Sequence, residues 1–199
     1  MFAGNHKWVG TGGIRTEHDF VEAPSQMLEE WMKSPEVLAA FAKDPKTGKV
    51  IPAELVKRMN RANDFGKGLL VRRQMVYAGM SLACYDGDPT GISTDNLFSG
   101  LVKKYQPFPF VDGTHFQCAF GHLDGYSAVY YTYMWSLVIA KDMFSQFDKS
   151  NLLDPKIATR YRDTVLAPGG SAPAADLVSK FLGRPFSFES YKAWLNEVN

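Results

Sequence analysis

The stretch YSAVYYTYMWSLVIAKDMFSQFDKS, residues 126–150, is apolar on nearly every side in its first half. Such a segment predicts a buried helix, because a helix at the surface of a globular protein keeps one polar face. Hydrophobic residues recur at helical spacing through most of the remaining chain, and no useful length of sequence alternates with the period of a strand. The sequence therefore predicts an all-α fold, with residues 1–199 forming a single all-α segment.

Proline, glycine and short polar clusters mark the boundaries of the other predicted helices. Pro35, for example, suits the first turn of a helix, where its missing N–H group is not needed. Residues 107–125 are broken by prolines and glycines and predict irregular structure. The further predicted helices are residues 20–33, 35–43, 53–63, 66–86, 95–106, 154–167, 172–183 and 187–198.

Composition excludes several classes of protein. Lys plus Arg (22) nearly balances Asp plus Glu (21), which gives no electrostatic reason to expect nucleic acid or an anionic membrane as a partner. Two cysteines, Cys84 and Cys118, provide neither a disulfide framework nor a cysteine-type zinc site. The longest uncharged run, residues 125–140, is too short to span a bilayer. We therefore expect a cytoplasmic protein.

The acidic stretch TEHDFVEAPSQMLEEW, residues 16–31, allows more than one interpretation. On a helix, Glu22, Gln26 and Glu29 share one narrow face, with Asp19 beside it. The spacing from Asp19 to Glu22 is that of a capping box, although Pro24 would then remove a helix bond. Glu22 also has a metal-compatible spacing to His18, but a metal needs more ligands than this pair. A helix cap, a solvated acidic face and part of a metal site all remain open.

A histidine and three tyrosines form a second candidate group in FGHLDGYSAVYYTYMW, residues 120–135. On a helix, the rings of Tyr126, Tyr130 and Tyr133 share one face, whereas Tyr131 points elsewhere. His122 precedes this helix in a loop flanked by glycines and can reach the same place. Aligned phenol groups need hydrogen-bond partners, which are either backbone groups in a core or a ligand in a cleft.

Taken together, the two stretches resemble the thimet oligopeptidase family of zinc metallopeptidases. Residues 19–31 resemble the family's signature, and residues 120–135 resemble its tyrosine-rich substrate loop and helix. Three further stretches also resemble the family and occur in the same order and at plausible spacing. They are residues 63–74, 161–171 and 180–187. The resemblance implies a helical bundle that forms the C-terminal part of a larger, channel-containing zincin-type peptidase fold. The implied activity is zinc-dependent hydrolysis of short peptides.

On the metal side, the resemblance assigns a role to Glu22. It corresponds to the third zinc ligand of a His₂Glu site, of the kind that other zinc peptidases also use. Asp19, Gln26 and Glu29 share its helix face, so we expect them to surround and orient that ligand.

On the substrate side, the resemblance assigns roles to the aromatic group. His122, Tyr126 and Tyr130 correspond to residues that bind the substrate backbone, and Tyr133 to the donor that stabilises the tetrahedral intermediate. His122 and Tyr133 are therefore the expected catalytic residues of this chain.

The sequence departs from the family most in one respect: it contains no His-Glu-x-x-His motif. That motif carries two zinc ligands and the general base of such peptidases. We therefore expect the chain to be the C-terminal part of a longer enzyme, inactive alone and unable to hold zinc tightly. Its expected partners are short peptides and a missing or separately encoded N-terminal part. The alternatives are a non-catalytic helical module that binds peptides or a protein partner, and a helical domain whose tyrosines are only core.

Overall fold

The computed structural model describes residues 6–197, and within that range the predicted all-α fold is confirmed. No strand occurs among these residues, where Lys43 and Val50 form one isolated antiparallel bridge. A π-helical turn at Arg162–Leu166 directly follows the helix that ends at Tyr161. The helices are α1 (Ala23–Leu28), α2 (Pro35–Phe41), α3 (Ala53–Asp64), α4 (Lys67–Tyr85), α5 (Thr94–Tyr105), α6 (His122–Gly125), α7 (Thr132–Phe144), α8 (Pro155–Tyr161), α9 (Ala174–Leu182) and α10 (Glu189–Asn196).

The helix predicted over residues 126–150 is wrong at both ends, because α7 covers Thr132–Phe144 only. Ser127 has a φ of 43°, which a continuous right-handed helix does not allow. A short 3₁₀ turn at Ser127–Val129 stands where the first helical turns were expected. The tyrosines that precede α7 therefore do not lie on one regular helix face.

The chain divides into two compact units, each with its own apolar core. The first unit contains residues 6–65 and 135–197, and its core is built from α1, α2, α7, α8 and α9. Trp31 lies edge-on to Phe147, with ring centroids 4.8 Å apart, and its indole N–H donates to the Leu152 carbonyl at 2.9 Å. Buried aromatic contacts of this kind fix side-chain orientation as well as removing apolar area from water.

The second unit contains residues Gly66–Met134 and is built around α4 and α5. Val76 and Met80 of α4 are buried in its core together with Phe98 of α5. Phe120 and Tyr130, which come from the segment between α5 and α7, complete the buried set. None of the helices within residues 6–197 has the length and apolar character needed to cross a membrane.

A buried carboxylate in α7 fixes the polypeptide that leads into α10. Asp142 has no exposed surface and accepts two hydrogen bonds from the Arg184 guanidinium, at 2.7 and 2.8 Å. It also accepts from the backbone N–H of Ser187 at 2.8 Å and from the hydroxyl of Ser190 at 2.9 Å. Burial alone would raise the pKa of Asp142, but these hydrogen bonds outweigh it and hold the pKa below its usual value.

Two consecutive glycines allow a close backbone contact within the first unit. A Cβ atom on Gly170 would lie 1.8 Å from the carbonyl oxygen of Arg15, and one on Gly169 would lie 2.8 Å from that of Thr11. Gly169 also has a φ of 50°, which side-chain-bearing residues rarely adopt. The turn at residues 168–171 (PGGS) therefore needs its two glycines, so that the backbone of residues 11–15 can pack against it.

Removing the buried charge should destabilise the first unit. We expect Asp142→Asn to lower the free energy of unfolding by about 2–3 kcal/mol, because it weakens several charge-assisted hydrogen bonds to a buried group. Urea denaturation followed by circular dichroism measures this difference. Asp163→Asn is the control, because Asp163 forms an exposed pair with its neighbour Arg162 and should give no measurable change.

The stability that Asp142 contributes should depend on pH, and the direction of this dependence follows from its pKa shift. The folded pKa of Asp142 lies below its unfolded value, so its contribution is fully present above the unfolded pKa of about 4. It is lost as the pH falls through the lower, folded pKa. The stability difference between the wild-type chain and Asp142→Asn should therefore shrink below about pH 4. A difference that stays constant down to pH 2 would contradict this account.

Candidate functional site

The acidic stretch forms a short helix that begins later than a capping box requires. Helix α1 starts at Ala23, and Glu22 occupies the N-cap position without a side-chain cap hydrogen bond. The capping-box interpretation with Asp19 at the N-cap is therefore wrong. Pro24 lies in the first turn of α1, where its missing N–H costs nothing.

The predicted metal ligand and its neighbours lie in the first unit with unequal exposure. Glu22 is half-buried, and its Oε2 accepts a hydrogen bond of 3.1 Å from the Ser25 hydroxyl. Of the three residues expected to surround it, Asp19 and Gln26 are half-buried, whereas Glu29 is exposed. His18, at a metal-compatible spacing from Glu22, is also exposed.

These residues do not make a zinc site by themselves. A zinc site in a protein uses three or four protein ligands. Within residues 6–197, no group of three or more His, Cys, Asp or Glu side chains could hold a metal ion. The donor set of this part of the chain therefore does not fit zinc, and Glu22 remains a single carboxylate.

The four aromatic residues of the second group come together in the second unit. The His122 ring lies 5.5 Å from Tyr126, 5.0 Å from Tyr130 and 5.7 Å from Tyr133, measured between centroids. Tyr126 stacks on Tyr133 at 5.3 Å, and Tyr130 lies 4.9 Å from Tyr133. We call these four residues the tyrosine–histidine cluster.

The cluster has a buried side and a solvent side. Tyr130 is only 8% exposed and also contacts Phe120 and Tyr77 of the core, at 5.0 and 5.9 Å. Tyr126 and Tyr133 are half-buried, and His122 is exposed. The core interpretation therefore fits Tyr130, whereas the other three members can reach a molecule in solvent. Phenol and imidazole groups in such a position can donate hydrogen bonds to a carbonyl oxygen.

The electrostatic setting of Tyr130 keeps its phenol protonated at neutral pH. Burial, followed by the neighbouring Tyr133 and Tyr77, raises its pKa from 10 to about 12. A hydrogen bond from the Gln74 side chain acts in the opposite direction and is the weakest of these effects. Tyr130 is thus available as a hydrogen-bond donor throughout the physiological pH range.

Helix α4 holds the irregular backbone that carries the cluster. The Ser81 hydroxyl is bonded on both sides, because it donates to the Ser127 carbonyl and accepts from the Tyr130 N–H at 3.3 Å. Ser81 is 1% exposed, and its bond to the Tyr130 N–H is buried, so this backbone donor depends on the hydroxyl for its partner. Sequence reasoning missed Ser81, although it interrupts an otherwise apolar and aromatic run, residues 75–84.

Ser81 should be important for stability. We expect Ser81→Ala to lower the free energy of unfolding by about 1–3 kcal/mol, because it leaves the buried Tyr130 N–H without its partner and removes a bond to the Ser127 carbonyl. Urea denaturation measures the loss. Ser99→Ala in α5 is the matched control: its exposed hydroxyl bonds only a carbonyl of its own helix and should be dispensable. Equal effects of the two substitutions would contradict the assigned role of Ser81.

The positive φ of Ser127 leads to a separate prediction. Glycine adopts this conformation freely, whereas a residue with a Cβ is strained by about 1 kcal/mol. We expect Ser127→Gly to be more stable than Ser127→Ala by about that amount, since alanine keeps the strain. Thermal unfolding of the two variants side by side provides the measurement, and a more stable alanine variant would contradict it.

Comparison with known proteins gives a consistent result. The model of peptidase family M3 matches residues 2–197. The chain is 34% identical to a thimet-like oligopeptidase of Dictyostelium discoideum, over 86% of this chain and 26% of that protein. It is 35% identical to an organellar oligopeptidase A of Arabidopsis thaliana, over 86% of this chain and 23% of that protein. Oligopeptidase A of Escherichia coli is 31% identical, over 88% of this chain and 27% of that protein.

The chain thus spans about a quarter of the length of the curated relatives it matches. The match to the family model extends over nearly all of its residues, including the acidic stretch and the tyrosine–histidine cluster. The resemblance inferred from those two stretches is confirmed. This chain belongs to peptidase family M3, a family of zinc metallopeptidases.

Proposed function

We propose that this chain provides the peptide-binding part of a zinc-dependent oligopeptidase that hydrolyses short peptides. The observation that carries the proposal is the tyrosine–histidine cluster, in which several hydrogen-bond donors lie together with one side open to solvent. Membership of a peptidase family supports peptides as the ligand class.

Within this proposal, each member of the cluster has a role in holding a peptide. His122 and Tyr126 donate hydrogen bonds to carbonyl groups of the peptide backbone, and Tyr130 contributes a third donor from the buried side. Tyr133 donates to the oxygen that becomes negatively charged when the scissile carbonyl is attacked. A donor at that position lowers the barrier, because it bonds the oxyanion more strongly than the ground-state carbonyl.

Glu22 is proposed as the third ligand of the zinc ion in a complete enzyme, with Asp19, Gln26 and Glu29 around it. The sequence contains no His-Glu-x-x-His, so the remaining ligands and the general base have to come from a further polypeptide segment. We propose that the chain alone binds peptides but does not hydrolyse them. A segment that carries the motif, encoded together with or separately from this chain, is then its partner.

A non-catalytic peptide-binding module is the second candidate. It is favoured by one observation, that the described residues include a donor cluster but no group of three metal ligands. The two candidates predict different results when a segment that bears His-Glu-x-x-His is added to the chain. Part of an oligopeptidase should then hydrolyse peptides, whereas a non-catalytic module should only bind them. We also propose a cytoplasmic location, which is supported by a probable cytosolic oligopeptidase A among the relatives.

Peptide binding by the chain alone can be measured directly. We expect isothermal titration with a pentapeptide blocked at both ends to show saturable binding, because the donors of the cluster are present without the metal. His122→Ala should weaken this binding, whereas His115→Ala, an exposed histidine paired with Asp95, should not. The absence of binding to the folded wild-type chain would contradict the proposal.

Catalysis can be tested in a product that also contains the metal-binding motif. In that product we expect Tyr133→Phe to lower kcat by about 100- to 1,000-fold, as the loss of one oxyanion donor does elsewhere. A quenched fluorescent peptide, assayed with and without a chelator, provides the measurement. Tyr131→Phe is the control, because Tyr131 is exposed and is not a member of the cluster. An unchanged kcat for Tyr133→Phe would remove its proposed role.

A further inference from the structure

A side chain of α4 supports the short helix α6, which carries His122. In a continuous helix, the carbonyl group of residue 123 accepts a hydrogen bond from the N–H group of residue 127, four positions further on. The positive φ of Ser127 takes the backbone away from that path, and α6 is only four residues long. The hydroxyl of Tyr85, in α4, donates to the Leu123 carbonyl. A neighbouring helix therefore provides a hydrogen bond that a short helix of this kind lacks by itself.

Tyr85 and Ser81 bond the two ends of the same short segment, residues 123–127. They are four positions apart and so lie on one side of α4. Ser81 donates to the Ser127 carbonyl, and Tyr85 donates to the Leu123 carbonyl. Ser81 is buried, whereas Tyr85 is 50% exposed. The segment is thus bonded to α4 at both ends, by a buried hydroxyl and by an exposed one.

Glycines border the backbone on which His122 stands. Gly121 precedes it, and Gly125 ends α6. A Cβ atom on either glycine would meet no other group within 4 Å, and glycine restricts the backbone less than any other residue. Leu123 lies between them, and its side chain packs against the core while its carbonyl is bonded by Tyr85. Leu123 is therefore a residue through which α6 is tied to the rest of the second unit.

We propose that Tyr85 is a positioning residue for His122. Through the Leu123 carbonyl, its hydroxyl fixes the orientation of α6 that brings the exposed His122 ring to within 5.0 to 5.7 Å of the three tyrosine rings of the cluster. The consequence for peptide binding rests on the proposed function, whereas the contact and its effect on the histidine do not. Because this hydrogen bond is exposed, water can bond the carbonyl when the hydroxyl is removed, and the fold should survive.

The ring currents of the three tyrosines report the position of His122 without any peptide. Tyr85→Phe keeps the aromatic ring and removes only the hydroxyl. We expect the ring-proton resonances of His122 to move towards the values of an unstructured histidine in this variant, because its ring spends less time beside the tyrosines. The resonances of His115, which is paired with Asp95, should stay in place. Proton NMR spectra of the two chains at the same pH provide the measurement.

A matched control separates this bond from the loss of any other phenol hydroxyl. Tyr105→Phe removes a hydroxyl from α5, on a ring that packs against the same core, and should leave the His122 resonances unchanged. Circular dichroism establishes that both variants are folded, and an unfolded Tyr85→Phe would show a general structural role instead. His122 resonances that stay in place in Tyr85→Phe, or move equally in Tyr105→Phe, would overturn the proposal.

The consequence for binding requires a double-mutant cycle with the blocked pentapeptide. We expect Tyr85→Phe to weaken binding about 3- to 10-fold in the wild-type background and to have no effect in His122→Ala. A penalty that persists in His122→Ala would overturn the proposal, because Tyr85 would then act independently of the histidine. If the wild-type chain binds no peptide, the proposed function fails, while the NMR comparison still decides whether Tyr85 positions His122.

Discussion

The hydrogen bonds from Ser81 to the backbone of residues 127 and 130 are the interaction on which the candidate site depends. Residues 126–131 leave the α-helical path at Ser127, so their backbone groups cannot all be satisfied within a helix. Ser81 satisfies two of them, the part-buried Ser127 carbonyl and the buried Tyr130 N–H, and Tyr77 packs edge-on against the Tyr130 ring. The aromatic side chains can converge because a rigid helix supports an irregular segment.

This support also explains why the cluster is both ordered and accessible. Tyr130 is buried in the core of the second unit, and its ring contacts both the core residue Phe120 and the exposed His122. A donor held by packing loses little further conformational freedom when a ligand binds. Binding groups placed at the edge of a core therefore combine a fixed geometry with access from solvent.

The helical architecture was predictable because hydrophobic spacing and turn residues are local signals. Helices α3, α5 and α9 begin and end within two residues of their predicted bounds. The break before α7 was not predictable from spacing, since serine does not itself specify a positive φ, and the Ser127 carbonyl is bonded by Ser81, which is 46 residues away in sequence. For the same reason, the sequence identified the members of the cluster but not Ser81, and the family resemblance rather than periodicity assigned Glu22 a role.

The central claim is that the tyrosine–histidine cluster binds peptides in this chain without a metal. An NMR titration of the chain labelled with ¹³C at the tyrosine ζ position tests it most directly. On addition of a blocked pentapeptide, we predict that the resonances of Tyr126, Tyr130 and Tyr133 shift together with one dissociation constant. The resonances of the exposed Tyr131 and of Tyr161, buried in the first unit, should stay in place. No shift at the cluster, or equal shifts at all five tyrosines, would contradict the claim.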